Sequence, residues 1–184
     1  SVSEVYGIPV DSGFIGSCTN GRLEDMRAAA NILKDKIIAP GRILKIVPAT
    51  DTIWNRCLKE GLLKIFKDAG ALVGSAGCAG CAAGQIGQTG KGEVTISSGN
   101  RNFIGKQGKG DIYLASPQTV AASLLAGYIT TVDAIPKKPA PVKVETTAVK
   151  SVSDQKKERI IPTLVVEGRA WVIQKDNIDT DMIY

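Results

Sequence analysis

Near its start the chain carries Ser12-Gly13-Phe14-Ile15-Gly16-Ser17, a short apolar run bounded by glycine. Such a run predicts a buried strand. The segment at residues 22–34 carries apolar residues near helical spacing and therefore predicts an amphipathic helix. Between the two, Cys18-Thr19-Asn20-Gly21 has the composition of a turn. Together these elements form the strand, turn and helix from which α/β domains are built.

The same alternation continues to residue 135. Further strands are predicted at residues 42–47, 71–73, 93–97 and 111–115, and further helices at residues 51–68 and 117–126. Strands that alternate with helices favour a mostly parallel sheet covered on both faces. We therefore predict that residues 1–135 form a three-layer α/β/α domain.

The pattern changes at residue 136. Residues 136–162 are rich in proline, lysine, threonine and serine and have no sustained periodicity, which predicts an extended linker. Residues 163–184 have the pattern of paired strands, but so short a segment cannot form a core of its own. We therefore predict that they are the incomplete beginning of a second domain. The chain begins with Ser1 instead of methionine, which suggests a processed chain or a fragment.

The composition indicates a globular protein, with 184 residues of which 43% are hydrophobic. No apolar run approaches the roughly 20 residues of a membrane span, so we expect no membrane partner. Four cysteines are too few for a secreted disulfide framework, which favours a reducing compartment, the cytoplasm. Much of the net charge of +5 lies in residues 136–162, which lack the aromatic residues of a nucleic-acid surface. Nucleic-acid binding is therefore not expected.

A second informative stretch is Gly77-Cys78-Ala79-Gly80-Cys81-Ala82-Ala83-Gly84, where a Cys-x-x-Cys pair lies among small residues. Zinc sites, dithiol redox sites and iron–sulfur sites all use this spacing. The chain contains no histidine, which excludes mixed Cys/His zinc sites and the usual imidazole base. Cys57 falls inside a predicted helix, and we expect it to be a buried structural thiol.

Three of the predicted loops end at one edge of the predicted sheet. In open α/β sheets, ligands bind beyond the carboxyl ends of the strands. Cys18 follows the first predicted strand, and Cys78 and Cys81 follow the third. Asn100 and Arg101 follow the fourth. We therefore expect three thiolates, an amide and a guanidinium to gather at this edge.

Three thiolates are compatible with more than one kind of site. A closed zinc site has four ligands, and Cys57 would have to supply the fourth. A dithiol redox site needs two thiols and leaves Cys18 unexplained. A [4Fe–4S] cluster bound by three thiolates keeps one iron free for water or a substrate oxygen. Arg101 and Lys106 carry charges that suit carboxylates, although a solvated basic loop is the alternative.

Four motifs, in this order, resemble the aconitase and 3-isopropylmalate dehydratase superfamily. They are Ile15-Gly16-Ser17-Cys18-Thr19-Asn20-Gly21-Arg22, Gly77-Cys78-Ala79-Gly80-Cys81, Asn100-Arg101-Asn102-Phe103-Ile104-Gly105-Lys106 and Tyr113-Leu114-Ala115-Ser116-Pro117. A further segment, Asp176-Asn177-Ile178-Asp179-Thr180-Asp181, is similar to the opening of the family's swivelling domain, a separate small subunit in many isopropylmalate dehydratases. The resemblance implies the carboxyl-terminal part of a large-subunit region, joined by a linker to the start of that domain.

The resemblance implies that Cys18, Cys78 and Cys81 hold a [4Fe–4S] cluster and that Asn100 and Arg101 help bind substrate. The implied enzyme is a hydro-lyase that dehydrates a hydroxy di- or tricarboxylic acid and rehydrates it with the hydroxyl moved. 3-Isopropylmalate dehydratase, aconitase and homoaconitase are of this type. The catalytic base is expected in the swivelling domain. The implied partners are therefore the remaining domains of the same enzyme, and the present chain alone is expected to be inactive.

Two departures from the family pattern accompany the resemblance. The family usually has arginine at the position of Lys106, so the bidentate carboxylate contact of an arginine is not available there. It commonly has Gly-Pro between the paired cysteines, where this chain has Ala79-Gly80.

The alternative function is a non-enzymatic metal-binding or iron-sensing regulatory module, which would hold zinc with Cys57 as the fourth ligand.

Overall fold

The computed structural model describes residues 2–81, 84–100 and 104–141, which all lie in one compact unit, Ser1–Val144. In chain order the helices are α1 (Val2–Val5), α2 (Ser17–Asn20), α3 (Leu23–Leu33), α4 (Asp51–Lys59), α5 (Leu62–Asp68) and α6 (Pro117–Ala126). The strands are β1 (Ser12–Gly16), β2 (Ile43–Val47), β3 (Leu72–Val73), β4 (Val94–Ser97) and β5 (Asp111–Leu114). Short 3₁₀ helices cover Ala79–Cys81 and Val132–Ala134.

The strands of the described residues form one sheet in the order β3-β2-β1-β4-β5, and every pair is parallel. This arrangement confirms the predicted α/β class and the parallel sheet. The chain moves from β1 outward to β2 and β3, then crosses back to β4 and β5 on the other side of β1. The central strand β1 therefore lies at the switch point, where ligands bind in sheets of this kind.

The helices α3, α4, α5 and α6 pack on one face of the sheet. Gly13 of β1 allows α6 to approach closely, because a Cβ there would lie 2.9 Å from Leu124 Cγ and 3.1 Å from Val120 Cγ1. The core between these helices and the sheet is apolar and fully enclosed. Its largest side chains include Ile15, Met26, Leu33, Leu44, Ile46, Phe66, Ile96 and Leu124.

The other face of the sheet is covered differently. Right-handed crossovers place the connections from β3 to β4 and from β4 to β5 on this face. Both connections are rich in glycine, a poor helix former, and their described residues form loops and the 3₁₀ turn Ala79–Cys81 instead of α-helices. The contacts within this face of the sheet and between it and the loops are partly polar. Ser12 Oγ lies 2.7 Å from Thr95 Oγ1, and Thr89 Oγ1 of the loop lies 2.9 Å from the same oxygen.

Two local predictions are wrong. The helix predicted over residues 51–68 is interrupted after α4, because Gly61 adopts a left-handed conformation with φ of 75° that ends one helix before the next begins. The turn predicted at residues 18–21 is the single helical turn α2. Residues 142–184, which include most of the predicted linker and all of the predicted second domain, lie outside the described residues. Among the described helices, none is long and apolar enough to cross a membrane.

Cys57 lies on α4 in the helix-side core, with none of its surface exposed, which confirms the predicted structural thiol. Burial raises the pKa of this thiol to about 11, and the nearby carboxylate of Glu60 adds to the effect. A thiol with a raised pKa stabilises the fold while it is protonated, below its ordinary pKa of 9.0. This contribution is lost as the pH rises through the pKa that the thiol has in the folded chain.

We therefore expect the free energy of unfolding to fall by about 2 kcal/mol more in the native chain than in Cys57→Ala between pH 9 and pH 11. Urea unfolding of both chains at several pH values measures this difference. If the free energy of unfolding fell equally with pH in the native chain and in Cys57→Ala, Cys57 would not titrate with a raised pKa.

Candidate functional site

Cys18 follows the carboxyl end of the central strand. At that end, Gly16 is packed so closely on β2 that a Cβ would lie 3.0 Å from the carbonyl carbon of Val47. The next residue, Ser17, is fully buried and has a φ of 71°, an unfavourable conformation for a residue other than glycine. The chain thereby turns sharply from β1 into α2, and Cys18 is exposed to solvent.

Cys78 directly precedes the 3₁₀ turn that follows β3, and Cys81 is the last residue of that turn. Gly77 N donates to Pro48 O over 3.1 Å, which ties the start of this turn to the end of β2. Ala79 is 4% exposed and packs with Phe14 and Val47 of the sheet. The alanine therefore anchors the turn, while Cys78 is exposed and Cys81 is half-buried.

The three predicted cysteines are neighbours in the structure. The helical turn α2 contacts the 3₁₀ turn Ala79–Cys81. Burial raises the pKa of the Cys81 thiol, the neighbouring thiols of Cys78 and Cys18 raise it further, and the charge of Lys106 lowers it. A bound cation would offset this effect and stabilise Cys81 as a thiolate.

The loop after β4 brings two predicted substrate residues to this group. The Cys81 thiol donates to Asn100 Oδ1 over 3.9 Å, a long hydrogen bond of the kind sulfur makes. Lys106 is close enough for its charge to act on Cys81. Arg101 lies outside the described residues, so its position at this site stays a prediction.

The candidate donors at this edge are the thiols of Cys18, Cys78 and Cys81. Within the parts of the chain that the structure describes, no three Cys, Asp or Glu side chains form a group that could hold a metal ion. Cys57, the candidate fourth zinc ligand, belongs to the helix-side core. At the sheet edge, the exposed thiols of Cys18 and Cys78 and the half-buried thiol of Cys81 lie on two neighbouring segments. Such soft donors suit an iron–sulfur cluster, in which each iron takes its own cysteine.

Ser98 connects the loop of Cys18 with the loop of Asn100. Its Oγ accepts a hydrogen bond from Gly16 N over 3.1 Å, and its backbone carbonyl accepts one from Asn20 Nδ2. Sequence reasoning missed this role, as well as the half-buried amide of Gln88 and the buried amide of Gln107. A serine or glutamine in a glycine-rich loop carries no periodic signal of burial. Only the packing of the loops on the sheet reveals their contacts.

The sequence model of the aconitase family, aconitate hydratase, matches residues 2–127, which cover every described strand. The chain belongs to the aconitase family. A relative in Archaeoglobus fulgidus, 3-isopropylmalate dehydratase large subunit 1, is 50% identical over 131 residues, 70% of this chain and 31% of that protein. The homoaconitase large subunit of Thermus thermophilus is 44% identical over 132 residues, 71% of this chain and 32% of that protein.

This member of the aconitase family thus spans about a third of the length of the curated relatives it matches. A third relative, the 3-isopropylmalate dehydratase large subunit of a Sulfurihydrogenibium species, is 46% identical over 138 residues, 74% of this chain and 32% of that protein. Members of the aconitase family are iron–sulfur enzymes. None of these three relatives is named as a non-enzymatic metal-binding or iron-sensing module.

Proposed function

We propose that this chain is the cluster-binding part of a hydro-lyase that dehydrates and rehydrates a hydroxy di- or tricarboxylic acid. Cys18, Cys78 and Cys81 would each hold one iron of a [4Fe–4S] cluster. The observation that carries the proposal is the contact at the carboxyl edge of the sheet between α2, which carries Cys18, and the turn that ends at Cys81, in a member of the aconitase family. When bound, a cluster with three protein ligands supplies one iron as a Lewis acid for the hydroxyl of the substrate.

The other site residues of this chain bind and orient the acid. Asn100 lies beside Cys81 and offers an amide to a substrate hydroxyl or carboxylate. Lys106 contributes a positive charge near the same sulfur, which attracts a dianionic or trianionic substrate. Arg101, next to Asn100 in sequence, is proposed to form a bidentate contact with a carboxylate.

The names of the relatives favour substrates of the 3-isopropylmalate dehydratase and homoaconitase type. Several are large subunits of 3-isopropylmalate dehydratase and one is a homoaconitase large subunit. Because these relatives are named as large subunits, we infer that the partner is a small subunit or domain that supplies the catalytic base. The enzyme is proposed to work in the cytoplasm, since four cysteines are too few for a secreted disulfide framework. The base removes a proton from the carbon next to the one that carries the hydroxyl, while the residues above hold the carboxylates.

Activity of the complete enzyme tests the proposal. The full-length protein, purified without oxygen, reconstituted with iron and sulfide and combined with its small subunit or domain, is offered isopropylmalate, citrate, homocitrate and dimethylmalate. We expect turnover of at least one of these acids, measured by the absorbance of the unsaturated product. The 184-residue chain alone should show none. Failure of the reconstituted protein on the whole panel, or turnover by the isolated chain, would contradict the proposal.

A further inference from the structure

Gly80, between Cys78 and Cys81, contacts the side chains of two glutamines. Gln88 Nε2 donates a hydrogen bond to Gly80 O over 2.7 Å. The backbone carbonyl of Gln88 in turn accepts a hydrogen bond from Lys45 Nζ over 3.1 Å, which fixes the glutamine on strand β2. The carbonyl of the 3₁₀ turn is thereby held through Gln88 to the sheet.

Gln107 lies under the same turn and is 3% exposed. Its Nε2 donates to Gly87 O over 3.0 Å, and its Oε1 accepts from Ser97 Oγ over 3.0 Å. A Cβ at position 80 would lie 2.9 Å from Gln107 Nε2. The amide plane is therefore the surface on which the turn between the two cysteines rests.

The same amide also reaches the loop of Asn100. Ser97 Oγ donates to Gln107 and accepts from Gly99 N over 3.0 Å, directly before Asn100. In addition, the backbone carbonyl of Gln107 accepts from Thr89 N over 2.8 Å. One buried side chain thus connects the cysteine turn, the segment at residues 87–89 and the loop that carries Asn100.

A buried amide is unfavourable unless each of its polar groups has a partner, and an apolar side chain of the same size would fill this space as well. Its placement under one loop of the site and against the next therefore indicates a role in geometry. Ligands of a metal centre are oriented by outer groups of this kind, whose loss typically lowers metal affinity or activity about 10- to 100-fold.

We propose that Gln88 and Gln107 are positioning residues, which hold Cys78 and Cys81 at a fixed distance from Cys18 and from Asn100. The role of these sulfurs as cluster ligands rests on the proposed function. The geometry of the turn does not rest on the proposed function, because the hydrogen bonds to Gly80 and Gly87 are made by the protein alone.

The test uses full-length protein with Gln107→Met and Gln88→Met, which keep the length of the side chain and remove its hydrogen bonds. Gln118→Met is the matched control, since Gln118 lies on α6 and makes none of these contacts. In iron-free protein, alkylation of each cysteine is followed by mass spectrometry. We expect the labelling rates of Cys78 and Cys81 to change at least about threefold in both variants while Cys57 stays protected.

In reconstituted protein, loss of the visible absorbance in the presence of an iron chelator gives the second readout. We expect a rate about 10- to 100-fold faster for Gln107→Met than for the control, together with an altered electron paramagnetic resonance spectrum of the reduced cluster. Labelling and cluster-loss rates within twofold of the Gln118→Met control would overturn the proposal.

Two further outcomes are decisive. If Gln107→Met also exposes Cys57 to alkylation, that variant has disturbed the fold. The labelling rates of Gln88→Met then decide whether the proposal holds, because the side chain of Gln88 is only half-buried and its replacement should disturb the fold less. If both variants expose Cys57, the glutamines serve the fold alone and the proposal fails. If the unsubstituted protein takes up no cluster, the proposed function fails, whereas the alkylation rates still report on the positioning of the two cysteines.

Discussion

Replacement of Cys78 or Cys81 by serine in the full-length, reconstituted enzyme is expected to abolish the cluster's visible absorbance and to lower kcat/KM by more than about 100-fold. Loss of an outer-shell partner typically costs 10- to 100-fold, and a direct ligand contributes more. Cys78 precedes and Cys81 ends the same anchored turn, so neither sulfur can move to replace the other without displacing Ala79 from its packing on Phe14 and Val47. Iron and sulfide analysis, absorbance and steady-state kinetics measure the effect.

Cys57→Ala supplies the control for the cysteine substitutions. This thiol is buried in the helix-side core, so its replacement should lower stability and leave iron content and kcat/KM within about twofold. Cys18→Ser should behave like the substitutions at Cys78 and Cys81, because Cys18 is the third member of the group. A Cys18→Ser protein with full iron content and full activity would contradict the three-ligand site.

Gly108→Ala is expected to destabilise the chain by about 3–5 kcal/mol, the largest effect that we expect on stability. The new Cβ would lie 2.5 Å from Thr89 N and closer still to Thr89 O, and φ at this position is 112°. The substitution would therefore break the hydrogen bonds of Thr89 N to Gln107 O and of Lys109 N to Thr89 O. Urea unfolding measures the loss, and amide hydrogen exchange should place it in residues 84–110.

Gly105→Ala is the matched control in the same loop. Gly105 also has a positive φ, 83°, but a Cβ there would meet nothing within 4 Å. Its replacement should cost only the conformational penalty of a left-handed alanine, about 1 kcal/mol. Equal losses at positions 105 and 108 would show that backbone conformation, and not the close approach to Thr89, decides the outcome.

Much of the sheet was predictable because its strands are short apolar runs bounded by glycine or proline. The run at Phe14 and Ile15 predicts a buried strand, and the structure places both residues there. The interruption at Gly61 was not predicted, since an isolated glycine is tolerated inside many helices and only its backbone angle shows that the helix ends. The glycine content of the two connections favours loops, whereas the face on which these loops lie follows from the handedness of the crossovers, which no local pattern encodes.

The location of the site was predictable for a different reason. In a parallel sheet, every loop that follows a strand begins at the same edge, so Cys18 is expected at the same edge as Cys78 and Cys81. The turn after β3 then reaches past β2 through the hydrogen bond from Gly77 N to Pro48 O. The supporting contacts were not predictable in this way. Whether Gln107 faces solvent or the sheet depends on the path of a glycine-rich loop, which is set by contacts distant in sequence.

The two faces of the sheet differ in a way that matters for protein engineering. The helix-side core is a dry apolar scaffold, whereas the opposite face carries the loops of the site through hydrogen bonds to backbone and hydroxyl groups. Loop segments from relatives with other substrate preferences can therefore be transplanted onto the second face as cassettes. Such grafts should keep the melting temperature of the scaffold only if they retain Gly108 with its close approach to Thr89 and the partners of the Ser12 and Thr95 hydroxyls.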